Sequence, residues 1–567
     1  MTVPGGRLTI LDYGAGNVRS LTNALAHLGY TDIKMVASPE DIHQADKLIF
    51  PGVGQFSLAI SRLRSMGVID ALKAYVQANR PFLGICVGHQ VLFESSDEAP
   101  ETPGLGLVPG HVTRFDATSG GGKSVPHMGW NAVHVPHAPA VPDLINTRGA
   151  ASRYYFVHSY AARATAQNAA WVGGMARYED EIFIAYVRHG NVFGTQFHPE
   201  KSGPDGLQLL AQFLAYQPVP ELDAGLPAVT LADIDRMAIE HRLGKRILAC
   251  LDVRENDAGD LVVTKGDQYQ VRAAGDRADV RNLGKPVQLA QEYYRSGADE
   301  IVFLNITAFR HCPLRDLPML AVLEEASKHI FVPLTVGGGI KDVAATAEQT
   351  GMTALEVAGA YFRAGCDKVA IGSDAVDAAM RYLQHGKNPA APTAIEQIAG
   401  AYGVQAVVIS VDAKRHFLAA ADAVPNGHAV VALQHTRGPN GEAFAWYQCS
   451  VKGGREFRDL DVQQLLVACQ ALGAGEIMLN CIDHDGQNAG YDLDLLRAAR
   501  QSVSIPIIAS SGAGAPQHFI DAFQKSQSDA ALAAGIFHRK EVSINDVKAA
   551  VQQAGYETRI FRPDDLL

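Results

Sequence analysis

From Lys245 onward the chain repeats one order of segments twice, and few folds can be built from such a pattern. The segments ACLDV (249–253), GADEIVFLN (297–305), VPLTVGGGI (332–340) and DKVAIGSDA (367–375) come first. ISVDAK (409–414), GAGEIMLNC (473–481), IPIIASSGAG (505–514) and DAALAAGIFH (529–538) then follow in the same sense. Each is an apolar run of strand length, and helical patterns fill the stretches between, so each half holds four β-α units. Eight parallel strands with intervening helices close into a (β/α)8 TIM barrel, whose active site lies at the C-terminal ends of the strands. An open α/β sheet is the alternative, and the duplication disfavours it.

A chain of 567 residues is too long for one ordinary core. From Leu8 to about Tyr216 short apolar strands alternate with helical patterns, which predicts a separate open α/β domain over residues 1–216. Residues 217–230 carry three prolines and read as a stiff connection; a short helix capped by Thr230 follows, so 217–244 is the expected linker and 245–567 the barrel. The net charge of −11, with no basic block, gives nucleic-acid binding no electrostatic support. No apolar run is long enough to suggest a membrane span. The seven cysteines include no C-x-x-C pair, so neither a disulfide framework nor a zinc site is expected, and a reducing, cytoplasmic location fits best. The N-terminus lacks the blocks of a signal or transit peptide.

In the first domain GICVGHQ places Cys86 between an apolar run and a helical pattern. Glycines on either side allow a tight strand-to-helix turn that holds a nucleophile in a strained elbow. A buried core cysteine is the ordinary alternative, which Gly84 and Gly88 argue against. A cysteine nucleophile needs a base and the base an orienting group, and NVFGTQFHPEKS offers His198 and Glu200. Pro199 biases His198 toward an extended backbone in which His198 and Glu200 point the same way.

These residues resemble the class I glutamine amidotransferases, which release ammonia from glutamine through a thioester. The resemblance implies a Cys86–His198–Glu200 triad, with an oxyanion hole from Gly52 and Val53 in the turn PGVG and from the amide of Val87. It implies Gln90 as a contact for bound L-glutamine. PHMGWN (126–131) and YYFVHSY (154–160) narrow the match to the subgroup serving histidine biosynthesis, with His127 and His158 expected near the domain interface and outside the triad.

In the barrel, Asp252 and Asp412 occupy equivalent positions at the ends of the first strand of each half. Paired carboxylates across a mouth can divide acid and base roles, although one such aspartate alone would more often cap a helix. Glycine clusters also occur twice: Gly338 and Gly339 with Gly372 and Ser373, and Ser511, Gly512 and Gly514 with Gly535. Small residues let backbone N–H groups approach a phosphate, so two clusters suggest a substrate with a phosphate at each end.

This half resembles the cyclases of the imidazole glycerol phosphate synthase family. The resemblance implies Asp252 and Asp412 as general acid and base, Lys265 as a loop lysine closing over the substrate, and Asn305, Thr307, Asp483 and Asp485 lining the mouth. It also implies that Arg246, Glu300, Lys368 and Glu476, which begin barrel strands, form a gate for ammonia at the opposite end. The implied partners are L-glutamine and a bisphosphorylated ribonucleotide, with the two domains forming their own intramolecular complex and no cofactor or metal required. Three departures from the family stand out: the first barrel loop carries extra residues, ENDAGD (255–260), residues 416–445 are expanded, and Ser511 stands where glycine is common. A barrel isomerase of the same pathway and a regulatory binding protein are the rival readings; the attached glutaminase argues against the first and the intact triad against the second.

Overall fold

The computed structural model describes residues 6–561 except 15–16, 118–121, 137–142, 146–151, 219–229, 236–241, 256–260, 265–284, 307–316, 343–350 and 389. The chain divides into two compact units, Met1–Gly244 with Ala401–Gly403, and Lys245–Gly400 with Val404–Leu567.

The first unit is built on a seven-stranded sheet in the order Val172–Tyr178, Glu181–His189, Val192–Thr195, Phe82–Ile85, Lys47–Phe50, Leu8–Ile10, Ile33–Met35. The last five strands are parallel. Their runs LTI, KLIF and FLGI are almost wholly buried, as strands covered on both faces must be. Thr230 caps the short helix Leu231–Asp235 through its hydroxyl, which accepts from the Asp233 N–H at 3.2 Å. Ile234 of that helix packs into the core of this unit, so the segment is part of the first fold rather than a free spacer.

In the second unit eight parallel strands close on themselves: Arg246–Glu255, Glu300–Asn305, Leu334–Gly337, Lys368–Ile371, Val407–Leu418, Glu476–Cys481, Ile507–Ser510 and Ala530–Ala533. Closure comes from pairing of the first strand with the last, Arg246 opposite Ala530, and of the fourth with the fifth, Val369 opposite Val407. The duplicated segments are these strands. Side chains alternate along a strand, so Arg246, Leu248, Cys250 and Asp252 share one face, as do Glu476, Met478 and Asn480. The inward column thus has charged residues at its base, an apolar layer of Leu248, Val302, Val408, Met478 and Ile508 above them, and carboxylates at its top. The expanded segment after the fifth strand extends the barrel wall: Val407–Leu418 pairs antiparallel with Phe444–Val451, and that strand with Glu456–Asp461. Trp446 is stacked between His416 and His428 there.

Candidate active site

Three neighbouring parallel strands of the first unit end side by side. Lys47–Phe50 leads into the turn Pro51–Gly54, Phe82–Ile85 into Cys86, and Val192–Thr195 into Gln196 and His198. The register sets Phe50 beside Gly84 and Ile85 beside Thr195, so the groups that follow each strand converge. The Cys86 N–H donates to the Thr195 carbonyl at 2.7 Å, and Cys86 itself has φ +53°, a conformation that L-residues rarely adopt. The flanking glycines are demanded by space. A Cβ on Gly88 would lie 1.9 Å from the Phe50 carbonyl oxygen, and one on Gly84 2.5 Å from the Gly88 oxygen.

His198 Nδ1 lies 2.8 Å from Glu200 Oε1, and Cys86, His198 and Glu200 are all buried. His198 is extended as the sequence predicts, but Pro199–Lys201 then forms a single 3-10 turn, so Glu200 reaches the imidazole around a bend rather than along a strand. Burial opposes the imidazolium, yet the charges of Glu200 and Cys86 and their hydrogen-bonding capacity outweigh it and hold the His198 pKa well above its ordinary 6.5. His198 Nε2 makes no hydrogen bond of ordinary geometry to a protein group, and the Cys86 sulfur acts on it as a nearby charge.

The proposed oxyanion groups take an arrangement that the sequence did not suggest. The Val87 N–H donates to the Gly52 carbonyl at 3.3 Å, and the Tyr13 hydroxyl donates to the Val53 carbonyl at 2.6 Å. The PGVG turn therefore presents a carbonyl, not an N–H group, toward the amide behind the nucleophile. Gln90 is buried, with Nε2 donating to the Tyr160 carbonyl at 3.0 Å and to Gln196 Oε1 at 3.1 Å; Gln196 Nε2 reaches the Cys86 sulfur at 3.7 Å. Neither Tyr13 nor Gln196 was singled out from the sequence. Gln196 stands two residues before His198, but nothing in the sequence says what its amide meets.

His127 and His158 lie within the interior of the first unit, packed among Phe115, Phe156 and Phe183, with 3.0 Å between His127 Nδ1 and His158 Nε2. Burial pushes the His158 pKa down to about 3, keeping the pair neutral. His158 Nδ1 donates to the same Tyr160 carbonyl that receives Gln90, at 2.8 Å. Through that carbonyl the pair is linked to Gln90, and through Gln90 to Gln196 and the Cys86 sulfur.

The mouth of the barrel opens into a cavity of about 520 Å³. Asp252 and Asp412 line it, as do Asn305, Asp485, Gly338, Gly339, Gly372, Ser373, Ser511, Gly512 and Gly535. Burial pushes the Asp412 pKa up, and the Asn480 amide, donating to Oδ1 at 3.0 Å, offsets part of that rise. Gly514 does not line the cavity; a Cβ there would meet the Asn488 carbonyl oxygen at 2.3 Å, so its bareness admits a neighbouring loop instead. Asp483 also lies outside the lining, pairing with Lys414 and accepting from the Arg415 N–H at 2.8 Å. Lys265 and Thr307 fall outside the described residues. Asn480 was not foreseen, although a polar residue at an inward position is a readable signal.

At the other end of the inward column, Arg246 bonds Glu300 and Glu476 at 2.6 Å each, and Lys368 bonds the same two carboxylates at 2.6 and 2.7 Å. The four side chains are buried and form one closed ring of alternating charge. Burial raises the Glu300 pKa, but Lys368 and Arg246 more than reverse this and leave it below the ordinary 4.5.

No helix among the described residues is long and apolar enough to cross a membrane, and the cysteines among them are all free. A family model of class-I glutamine amidotransferases matches residues 9–216, and one of histidine biosynthesis proteins matches residues 246–543. The chloroplastic imidazole glycerol phosphate synthase hisHF of Arabidopsis thaliana is 52% identical over 553 residues, covering 98% of this chain and 89% of that protein. The Schizosaccharomyces pombe imidazole glycerol phosphate synthase hisHF is 51% identical over 549 residues, 95% of this chain and 97% of its own. The imidazole glycerol phosphate synthase subunit HisF of Methanobrevibacter smithii is 37% identical over 318 residues, 56% of this chain and 100% of that subunit.

Proposed function

This chain belongs to the fused imidazole glycerol phosphate synthases, a glutamine amidotransferase joined to a cyclase of histidine biosynthesis, and on that premise we propose which residues carry each half-reaction. In the amidotransferase, His198 holds the proton of the Cys86 thiol, and the sulfur so freed attacks the side-chain amide carbon of L-glutamine. The imidazolium returns that proton to the departing nitrogen as the C–N bond breaks, giving ammonia and a thioester that water cleaves to glutamate. Glu200 orients the ring and stabilises its charge. The oxyanion is met by the amide of Val87 and, once the Gly52–Val53 peptide turns over, by that of Val53. Gln90 contacts the bound glutamine.

In the barrel, ammonia enters past the ring of Arg246, Glu300, Lys368 and Glu476, one ion pair of which must part to let it through. The substrate is a bisphosphorylated ribulosyl formimino carboxamide ribonucleotide, held at one end by Gly338, Gly339, Gly372 and Ser373, and at the other by Gly512 and Gly535. Ammonia adds to the ribulosyl carbonyl, and Asp252 and Asp412 move protons as the ring closes and the chain is cleaved. The products are imidazole glycerol phosphate and aminoimidazole carboxamide ribotide. The observation that carries this assignment is the placing of two symmetry-related carboxylates in one cavity between two glycine clusters. Free cysteines favour a reducing compartment, the cytoplasm.

The test is synthesis from the bisphosphate with either glutamine or an ammonium salt. Cys86→Ala should lose glutamine-supported synthesis and keep the ammonia-supported reaction, whereas Asp252→Asn should lose both. Glutamine-supported turnover by Cys86→Ala would overturn the triad, and full ammonia-supported turnover by Asp252→Asn would overturn the carboxylate pair.

A further inference from the structure

Ser511 has φ +73°, a left-handed conformation that glycine takes freely and that serine adopts only under constraint. Its hydroxyl donates to Asn480 Oδ1 at 2.6 Å. With its oxygen so engaged, Asn480 turns its Nδ2 toward Asp412 and donates to Oδ1 at 3.0 Å. Asn480 is fixed beside both partners by the sheet, opposite Asp412 on one side and Ser510 on the other. An amide can be flipped, and flipped it would set oxygen against the Asp412 carboxylate. The acceptor-only carboxylate thus selects which end of the amide faces it, and the serine hydroxyl, donating to the Oδ1 left on the other side, anchors the side chain in that orientation.

We propose that Ser511 is a positioning residue for the cyclase reaction, whose hydroxyl anchors the Asn480 amide in the orientation that donates to Asp412 and is not a phosphate contact. This rests on the assignment of Asp412 as a catalytic carboxylate. Ser511 and Asn480 act as one directional chain: the hydroxyl donates to the amide oxygen, and the amide N–H donates to the carboxylate. The backbone strain at Ser511 is retained because glycine, which would relieve it, has no hydroxyl to give.

The full-length enzyme is assayed with the bisphosphorylated ribonucleotide and an ammonium salt, so that glutamine chemistry plays no part. Ser511→Ala and Ser511→Gly should each lower kcat about tenfold with KM within twofold of wild type. Ser511→Gly should also melt at or above the wild-type temperature, since it removes strain, and it carries the test if Ser511→Ala fails to fold. Asn480→Ala should show a kcat defect of its own, and adding Ser511→Gly to it should cost nothing further, as expected of residues that act as a unit. A raised KM with unchanged kcat in the Ser511 variants would return Ser511 to the phosphate site and overturn the proposal. Unchanged kinetics, or defects that multiply in the double variant, would overturn it equally. Asp412→Asn serves as the reference: if it retains full activity, the Asp412 assignment falls, an outcome separate from any Ser511 result.

Discussion

The N–H of Val87, directly behind the nucleophilic sulfur, donates to the Gly52 carbonyl at 3.3 Å. An oxyanion formed on Cys86 would need that donor, and here a backbone carbonyl holds it. Under the oxyanion assignment proposed above, the peptide between Gly52 and Val53 turns over before the thioester forms efficiently. Glutaminase activity should therefore be low in the resting enzyme and rise on the order of a hundredfold when a substrate analogue fills the barrel, the size of effect that one oxyanion donor commands. Equal hydrolysis of glutamine with and without the analogue would remove the switch and leave the triad intact.

Glu200 is what allows His198 to keep a proton in a buried site. Replacing it with glutamine removes the charge that outweighs burial, so the His198 pKa should fall. Glutaminase kcat in Glu200→Gln should drop by about 10²–10⁴-fold, with the limb of the pH profile that reports His198 moving to lower pH. A profile that keeps its wild-type midpoint would show that another group sets the base.

The buried ring at the base of the barrel makes stability depend on acid in a definite direction. Glu300 has its pKa lowered on folding, so its contribution is fully present above its ordinary value of 4.5 and is lost as the pH falls below it. Glu300→Gln, which leaves two buried cations short of one carboxylate, should destabilise the barrel by about 3–5 kcal/mol near neutrality. Melting temperatures of wild type and variant should converge as the pH drops below 4.5. A gap that stays constant with pH would mean that the ring's charge is not what the substitution removes.

Gly88 is a packing requirement before it is a catalytic one. A methyl group at that position would stand 1.9 Å from the Phe50 carbonyl oxygen, a rigid backbone atom, so either strand or helix must move. Gly88→Ala should destabilise the first unit by about 3 kcal/mol in urea unfolding, at the upper end of ordinary overpacking, and abolish glutamine use. A stably folded variant with intact glutaminase would show that the elbow tolerates a side chain.

The barrel was legible because duplication is a statement about strand count and order, and apolar runs of strand length report where the strands lie. The elbow was legible because a cysteine set between two glycines, at the junction of an apolar run and a helical pattern, marks a turn too tight for side chains on either side. What escaped were contacts between residues remote in the chain. Gln196 gives no sign in the sequence that its amide will meet Cys86, and Asn480 none that it will stand between Ser511 and Asp412. The pairing of Val87 with Gly52 was also hidden, because a turn sequence does not say which way one peptide faces. Ser511 reads as one member of a glycine-rich cluster, and only its φ and its partner set it apart.

The sequence by itself thus determined the two folds and singled out Cys86, His198, Glu200, Asp252 and Asp412 as candidates, since hydrophobic periodicity, repetition and motif spacing are local properties of the chain. Tertiary structure alone decided how the donors and acceptors around those groups are oriented. Hydrogen bonds at 2.6 to 3.3 Å depend on register between strands that are tens to hundreds of residues apart, and on which face of an amide or peptide the packing leaves exposed. The same chemical groups, turned by half a rotation, would make an open oxyanion hole in one unit and a misdirected carboxylate in the other.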